Sequence, residues 1–148
     1  MLALILGVIL QLSADFCQTK QSAMLVEEQV STGHLTYRAP DYLRWEYTSP
    51  IQLVWELDGE KSNVSPQVKR LLKLIMQTIA CDNLQTTDDF EVSMKNGVYY
   101  LLPKNRELKQ FFSAIQLEID AQTKVARKVI LTEKNGDIST IVFNNICL

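Results

Sequence analysis

STGHLTYRAPDYLRWEYTSP, residues 31–50, is the stretch that decides the fold class. Its side chains alternate, which puts Leu35 with Tyr37 on one face of the first half and Leu43, Trp45 and Tyr47 on one face of the second. A period of two residues predicts β-strands with one buried face. Pro40 has no N–H to donate to a sheet, so we expect the first strand to end there. The stretch therefore predicts a pair of antiparallel strands that are rich in aromatic rings.

The rest of the chain carries further strand signals. Alternating or apolar runs cover residues 14–20, 51–57, 90–94, 98–102, 115–119, 125–132 and 137–143. The pairs Asn96-Gly97 and Asn135-Gly136 separate successive runs, and such pairs are typical of two-residue hairpin turns. Because the connections in the C-terminal half are short, neighbouring strands should pair antiparallel. The sequence therefore predicts a mainly β (α+β) fold with an antiparallel sheet.

One long helix is predicted between the strands. Ser65 can cap free N–H groups, and Pro66 suits the first helical position. The apolar residues that follow at helical spacing are Val68, Leu71, Leu72, Ile75 and Ile79. Leu74 and Met76 widen this stripe. The width of the stripe leaves two alternatives. The helix lies in a concave surface, or it packs on a sheet. The pattern alone favours packing on a sheet.

The first twelve residues, MLALILGVILQL, are apolar except for Gln11. They are too few to span a bilayer as a helix. Their length equals that of a signal-peptide core, but the positively charged leader of a signal peptide is missing. A buried first helix and a signal-peptide remnant are the two alternatives, and we predict the helix.

Composition indicates an ordinary globular protein. The 148 residues predict a single domain, residues 1–148. A net charge of −2 and an isoelectric point near 5.4 argue against a nucleic-acid surface, which is usually basic. Cys17, Cys81 and Cys147 lack the spacing of a zinc or thioredoxin motif. Three buried thiols are favoured over a disulfide.

The sequence offers little for catalysis. His34 is the one histidine of the chain, and we expect a surface or structural role for it. The glycines are scattered rather than gathered in a phosphate loop, and no metal-ligand spacing occurs. We predict a protein that is not an enzyme and that has no catalytic residue, metal or cofactor. A lipid hydrolase is the alternative, and replacing His34 with alanine would test it.

The remaining features favour an apolar ligand. The predicted sheet is rich in aromatic rings, and the predicted helix is very apolar. If one face of the sheet is concave, aromatic and aliphatic side chains would form a pocket for an apolar molecule. Burial of apolar surface, worth about 0.8 kcal/mol per CH₂ group, would supply affinity without directional contacts.

Motifs between residues 16 and 50 resemble the outer-membrane lipoprotein carrier family, the LolA-like proteins. The positions of the family pattern are Phe16, Gln18, Lys20, Ser31, Gly33, Tyr37, Pro40, Leu43, Trp45 and Pro50. DGEK at 58–61, LLPKNRELKQFFSAIQLEID and the closing NGDISTIVFNN match more weakly. The resemblance covers nearly the whole chain. LRWEYTSP resembles the Bacteroidetes-type version, and we expect this chain to be truncated at both ends relative to that family.

The resemblance implies a fold and a function. The fold would be an open antiparallel half-barrel with helices on its concave face, which together enclose an apolar cavity. The function would be that of a periplasmic carrier that binds the acyl chains of lipoproteins and transfers them from the inner to the outer membrane. Implied partners are acylated lipoproteins, an inner-membrane ABC transporter of the sorting pathway and an outer-membrane acceptor, with no nucleic acid. The alternative is a periplasmic regulatory domain of the same fold that senses lipids or lipoproteins.

The resemblance also implies which residues form the cavity and its lid. The expected acyl-contacting residues are Phe16, Tyr37, Leu43, Trp45, Tyr47, Leu71, Leu72, Ile75 and Ile79. The helix that begins at Pro66 would close the mouth. Better-studied members have an arginine directly before the proline, where this chain has Ala39. Arg38 is the remaining candidate for a lid contact, although one step along a strand moves a side chain to the opposite face.

A substitution of Trp45 tests the site that the sequence predicts. We expect Trp45→Glu to weaken the binding of a fluorescent fatty-acyl probe while the protein stays folded, if the ring borders the cavity. A core role for Trp45 predicts unfolding of the same variant instead. The two interpretations of Trp45 therefore differ in whether the variant folds.

Overall fold

The structure is a computed structural model that describes residues 4–5, 8–9, 11–24, 26–80, 84–122 and 125–148. These residues contain twelve β-strands and two helices. The strands are β1 (Leu4–Ile5), β2 (Val8–Ile9), β3 (Gln11–Gln21), β4 (Gln29–Arg38), β5 (Tyr42–Ser49), β6 (Leu53–Asp58), β7 (Lys61–Ser62), β8 (Phe90–Lys95), β9 (Val98–Pro103), β10 (Phe112–Ile119), β11 (Ala126–Glu133) and β12 (Ile138–Cys147). The helices are α1 (Pro66–Ala80) and α2 (Arg106–Lys109).

Ten of the described strands form one open antiparallel sheet, in the order β7-β6-β5-β4-β3-β12-β11-β10-β9-β8. The short strands β1 and β2 pair with each other. The fold class predicted from the sequence is confirmed, because the chain is mainly β, with an open antiparallel sheet and few helices.

The chain divides into two compact units. The first comprises Met1–Phe16, Ser31–Asp82 and Phe143–Leu148, and the second comprises Cys17–Val30 and Asn83–Val142. All residues of the predicted acyl site belong to the first unit. That residues 1–148 form a single domain stays a prediction.

In the first unit, the predicted alternation of β4 and β5 is confirmed. Tyr37 and Trp45 are buried, whereas Arg38 and Thr48 are exposed. β5 lies between β4 and β6, and its register pairs Trp45 with Leu35 on one side and with Trp55 on the other. The aromatic residues of adjacent strands therefore fall in the same row of the sheet, where cross-strand side chains interact.

In the second unit, strands β8 to β11 follow one another as antiparallel hairpins. The predicted turn between β8 and β9 is confirmed, with φ of 53° at Asn96 and 78° at Gly97. The buried strand residues of this unit include Tyr99, Leu101, Ile115, Leu117, Val129 and Leu131. The connection between β9 and β10 contains the short helix α2, which Asn105 caps by accepting from the N–H of Glu107 at 2.8 Å.

The buried helix predicted for residues 1–12 is wrong where the structure describes them. Leu4–Ile5 and Val8–Ile9 are paired strands, and Gln11 begins β3. Isoleucine and valine are branched at Cβ, which favours strands, and a short apolar run does not by itself separate a helix from a strand. The other residues up to position 10 lie outside the described residues.

The prediction of three buried thiols is also wrong. Cys147 is exposed and Cys17 is half-buried, and both are free. Cys17 follows the buried Phe16, so its side chain lies on the opposite face of β3. Cys81 lies outside the described residues.

Asn63 closes part of the free edge of β6. Its side chain accepts from the N–H of Glu56 and donates to the main-chain oxygen of Val54, both at 2.9 Å. We expect Asn63→Ala to lower the free energy of unfolding by about 1–2 kcal/mol, because two backbone groups lose their partner. Urea denaturation measures this loss. Asn144→Ala, at an exposed position of β12, is the control, and equal stability of the two variants would contradict the role of Asn63.

Candidate binding site

Five aromatic rings of the first unit pack against one another. This aromatic cluster consists of Phe16, Trp45, Tyr47, Trp55 and Phe143. Phe16 stacks on Trp45, with 4.3 Å between the ring centroids and 29° between the planes. Tyr47 meets both rings edge-on, with its centroid 5.4 Å from Phe16 and 6.3 Å from Trp45. Each aromatic pair of this kind adds about 0.5–1.5 kcal/mol beyond its buried area.

Two members of the aromatic cluster were missing from the sequence-based site. Trp55 meets Tyr47 edge-on at 5.4 Å, and Phe143 meets Trp45 edge-on at 6.1 Å. Trp55 lies two residues before the buried Leu57, so the alternation of β6 carried a signal for it. Phe143 reaches the cluster because β12 is a neighbour of β3 in the sheet, a long-range pairing that no local pattern reveals.

Gly33 makes room for the aromatic cluster. It stands opposite Tyr47 in the register of β4 and β5. A Cβ atom at this position would lie 2.5 Å from Cζ of Phe16 and 2.0 Å from the main-chain oxygen of Glu46. Both distances are far below van der Waals contact, so the ring of Phe16 can pack here because residue 33 has no side chain.

Tyr37 and Leu43, two further residues of the predicted site, are buried and face each other across β4 and β5. A cavity of about 370 Å³ opens beside Tyr37, and Leu12, Thr36 and Arg38 are among the residues that line it. This volume falls in the range of small-molecule pockets, about 300–1,000 Å³.

Helix α1 begins where the sequence predicts. The hydroxyl of Ser65 accepts from the N–H of Val68 at 3.4 Å, and the main-chain oxygen of Ser65 accepts from the N–H of Lys69 at 2.9 Å. The first contact satisfies an N–H that a helix N-terminus leaves without an intrahelical partner, and the second is the first backbone hydrogen bond of the helix. The cap fixes the start of α1 and therefore which of its side chains are buried.

The burial of α1 extends beyond a single face. Leu72 is fully buried, Ile75 is buried and Leu71 is half-buried. Leu74 is also buried, although at about 100° per residue it lies on the other side of the helix from Leu72. The wide apolar stripe of the sequence is therefore covered over much of its width. The side chain of Ile79 lies outside the described residues.

Arg38 lies on the face of β4 that is opposite to Tyr37. It is exposed, and its guanidinium carbon lies 4.5 Å from the centroid of the Tyr42 ring. The hydroxyl of Tyr42 donates to Glu56 at 2.7 Å. The structure thus groups Arg38 with the half-buried side chains of Tyr42 and Glu56, next to the cavity beside Tyr37, and does not bring it to the aromatic cluster. Its lid contact stays a prediction.

The phenol groups of the site stay neutral. Burial raises the pKa of Tyr47 above its usual value of 10.0, and a smaller effect of the Trp45 indole lowers it. Burial, followed by the charge of Asp41, raises the pKa of Tyr37. The Trp45 N–H itself is buried and, among the described residues, has no acceptor with full hydrogen-bond geometry. The aromatic walls therefore carry no charge at neutral pH.

His34 belongs to a polar contact on the face of β4 that is opposite to the buried Gly33 and Leu35. Its Nδ1 lies 2.9 Å from one carboxylate oxygen of Asp15, and the side chain of Asn145 donates to the other at 2.8 Å. The hydrogen bond from Asn145, followed by that from His34, lowers the pKa of Asp15 below its usual value of 3.8. This arrangement fits the structural role that the sequence predicts for His34.

We expect His34→Ala to leave the binding of an acyl probe unchanged. The side chain lies on the other face of β4 from the buried Leu35, so its loss does not alter the aromatic cluster. The thermal midpoint should fall by about 2 °C or less, since the contact with Asp15 is partly exposed. Loss of a turnover activity on a lipid ester in this variant would instead support the hydrolase alternative.

The described part of the chain lacks two other kinds of feature. In that part, no three histidine, cysteine, aspartate or glutamate side chains meet in a way that would hold a metal ion. None of its helices is long and apolar enough to cross a membrane.

The open antiparallel sheet of this chain, with few helices beside it, matches the LolA-like fold. The chain belongs to the family described as outer membrane lipoprotein carrier protein LolA, whose model matches residues 9–147. The resemblance found in the sequence motifs is therefore confirmed. A search of curated proteins gave no match.

Solved structures with a similar fold are distant in sequence. MucB is 12% identical, with a TM-score of 0.49 over 93% of this chain and 52% of that chain. The MucA/MucB complex of Pseudomonas aeruginosa matches at 10% identity and a TM-score of 0.49, over 93% of this chain and 51% of that chain. The LolA superfamily protein NE2245 of Nitrosomonas europaea matches at 10% identity and 0.44, over 94% and 86%. This chain spans about half the length of the MucB structures.

Proposed function

We propose that this protein is a periplasmic carrier that binds the acyl chains of lipoproteins and transfers them from the inner to the outer membrane. Membership of the LolA family supports the proposal, because that family is described as lipoprotein carriers. The observation that carries it is the aromatic cluster, which shares one compact unit with the apolar helix α1. Acylated lipoproteins, the sorting ABC transporter and an outer-membrane acceptor are the proposed partners.

The interior of the described residues is suited to an acyl chain. Ser139 is the sole polar residue among the buried side chains there, and no charged side chain is buried with it. A methylene group that leaves water for such surroundings contributes about 0.8 kcal/mol. Affinity would then grow with chain length and would not depend on a directional contact.

Entry of the ligand requires α1 to move. Leu72 and Ile75 are buried in the absence of a ligand, so their apolar surface is already covered. An acyl chain that replaces these contacts exchanges one apolar neighbour for another, which makes the step reversible. We therefore propose α1 as the lid of the site, with the chain bound between α1 and the aromatic cluster.

Tryptophan fluorescence provides the test. Both tryptophans of the chain, Trp45 and Trp55, belong to the aromatic cluster. A long-chain fatty-acyl probe that absorbs at the wavelength of indole emission should quench that emission saturably, and the acetyl analogue of the same fluorophore should not. Equal quenching by the two probes, or none by either, would contradict an acyl site at the cluster.

A release assay separates a carrier from a sensor. Spheroplasts that hold labelled outer-membrane lipoproteins are incubated with the purified protein, and the supernatant is examined for a one-to-one soluble complex. A complex supports the carrier. Saturable probe binding without a complex would favour the regulatory alternative that the sequence leaves open.

A further inference from the structure

Glu60, in the turn between β6 and β7, contacts two lysines of helix α1. Nζ of Lys69 lies 2.9 Å from one carboxylate oxygen of Glu60, and Nζ of Lys73 lies 3.2 Å from the other. Lys69 also donates to the main-chain oxygen of Glu60 at 3.0 Å. Residues four apart project from the same side of a helix, so a single carboxylate can meet both lysines.

The turn that carries Glu60 is fastened to the sheet. β7 pairs with β6 through Leu57 with Ser62 and through Asp58 with Lys61. The N–H of Gly59 donates to the main-chain oxygen of Asp41 at 3.1 Å, which ties this turn to the one between β4 and β5. Glu60 is therefore held by strands of the first unit, whereas its two partners belong to the helix.

The contact differs in kind from the burial of the apolar side chains of α1. The buried leucines and isoleucine of the helix pack without a preferred direction. The Glu60 contact fixes one point of the helix relative to one turn of the sheet. Of its groups, the Lys69 side chain is mostly covered, at 24% exposure, whereas that of Glu60 is 82% exposed.

We propose that Glu60, Lys69 and Lys73 form an ionic latch that fastens α1 to the turn between β6 and β7 and sets how often the site opens. This inference rests on the proposed function, in which α1 is the lid. The latch is weak because its ion pairs are exposed. Salt screens such pairs, and they are readily broken. Such a contact can favour the closed state and still permit frequent opening.

Hydrogen–deuterium exchange of the α1 amides tests the latch without any ligand. We expect Glu60→Gln to raise the exchange of α1 by about three- to tenfold, because two exposed ion pairs are lost from the closed state. Glu91→Gln removes the same charge from β8, where the described part of the chain offers no ionic partner, and should leave α1 unchanged. Equal exchange in Glu60→Gln and the wild type would overturn the proposal.

A charge reversal and a salt series sharpen this test. The triple variant Glu60→Arg, Lys69→Glu, Lys73→Glu restores opposite charges across the contact, and we expect slow exchange to return. Raising salt should speed the exchange of α1 in the wild type but not in Glu60→Gln, since the variant has no latch to screen. A triple variant that exchanges as fast as Glu60→Gln would contradict the ionic basis of the contact.

Stopped-flow binding of the long-chain acyl probe connects the latch to the site. We expect Glu60→Gln to raise the association rate by the same factor as the exchange rate. Faster exchange with an unchanged association rate would overturn control of entry by Glu60 while the carrier proposal stands. Faster exchange in Glu60→Gln, together with no binding of the probe to the wild type, would contradict the proposed function. The contact would then only stabilise the position of α1. The two failures are distinguishable because the wild type binds the probe in one case and not in the other.

Discussion

Gly33→Ala is expected to destabilise the protein by at least about 3 kcal/mol, a large fraction of the 5–15 kcal/mol that is typical of domains. The new methyl carbon would lie 2.0 Å from the main-chain oxygen of Glu46 and 2.5 Å from the ring of Phe16. The ring could rotate away only by losing its stacking on Trp45. The oxygen cannot move without displacing β5. Urea denaturation followed by circular dichroism measures the loss.

Two controls identify the cause of that loss. Gly97→Ala meets nothing within 4 Å but adopts φ of 78°, so it should lose about 1–2 kcal/mol through backbone strain alone. Combining Gly33→Ala with Phe16→Leu would relieve the clash with the ring but not the one with Glu46, and should not restore stability. A Gly33→Ala variant as stable as Gly97→Ala would disprove the close approach.

Local patterns were sufficient for much of this fold. The alternation of residues 31–50 predicts both strands and their buried faces, and the cap at Ser65 predicts the start of α1. Each signal comes from residues that are close in sequence and whose geometry is set by a short-range rule, namely period two or a helix cap. The first ten residues lack such a rule, because an apolar run suits a strand as well as a helix.

The candidate site was predictable only in part, for the same reason. Phe16, Trp45 and Tyr47 could be proposed because family motifs and strand alternation mark them. Phe143 could not, since its place in the aromatic cluster depends on β12 lying next to β3. The contact of Glu60 with α1 likewise depends on how a turn folds back toward a helix. That the aromatic side chains of this site contact an acyl chain stays a prediction.

Trp45→Glu is expected to unfold the protein, in contrast to the folded variant that a cavity-bordering ring would give. Trp45 is 2% exposed and contacts Phe16, Tyr47 and Phe143. Removal of such a ring costs about 3–5 kcal/mol, and an unpaired buried carboxylate adds to that cost. Circular dichroism at neutral pH measures the outcome. A cooperative, folded Trp45→Glu would mean that the side chain at position 45 reaches a cavity that admits water.

Trp45→Phe then separates a core role from a binding role in a protein that folds. Phenylalanine keeps a ring against Phe16 and removes the indole N–H that lacks a full hydrogen bond, so we expect a loss of only about 1–2 kcal/mol. Trp55 remains as the fluorescent donor for the acyl probe. Severalfold weaker probe binding would place Trp45 against the acyl chain, because the smaller ring offers less apolar contact. Unchanged affinity would assign Trp45 to the core and shift the expected contacts to the half-buried Tyr47 and Trp55.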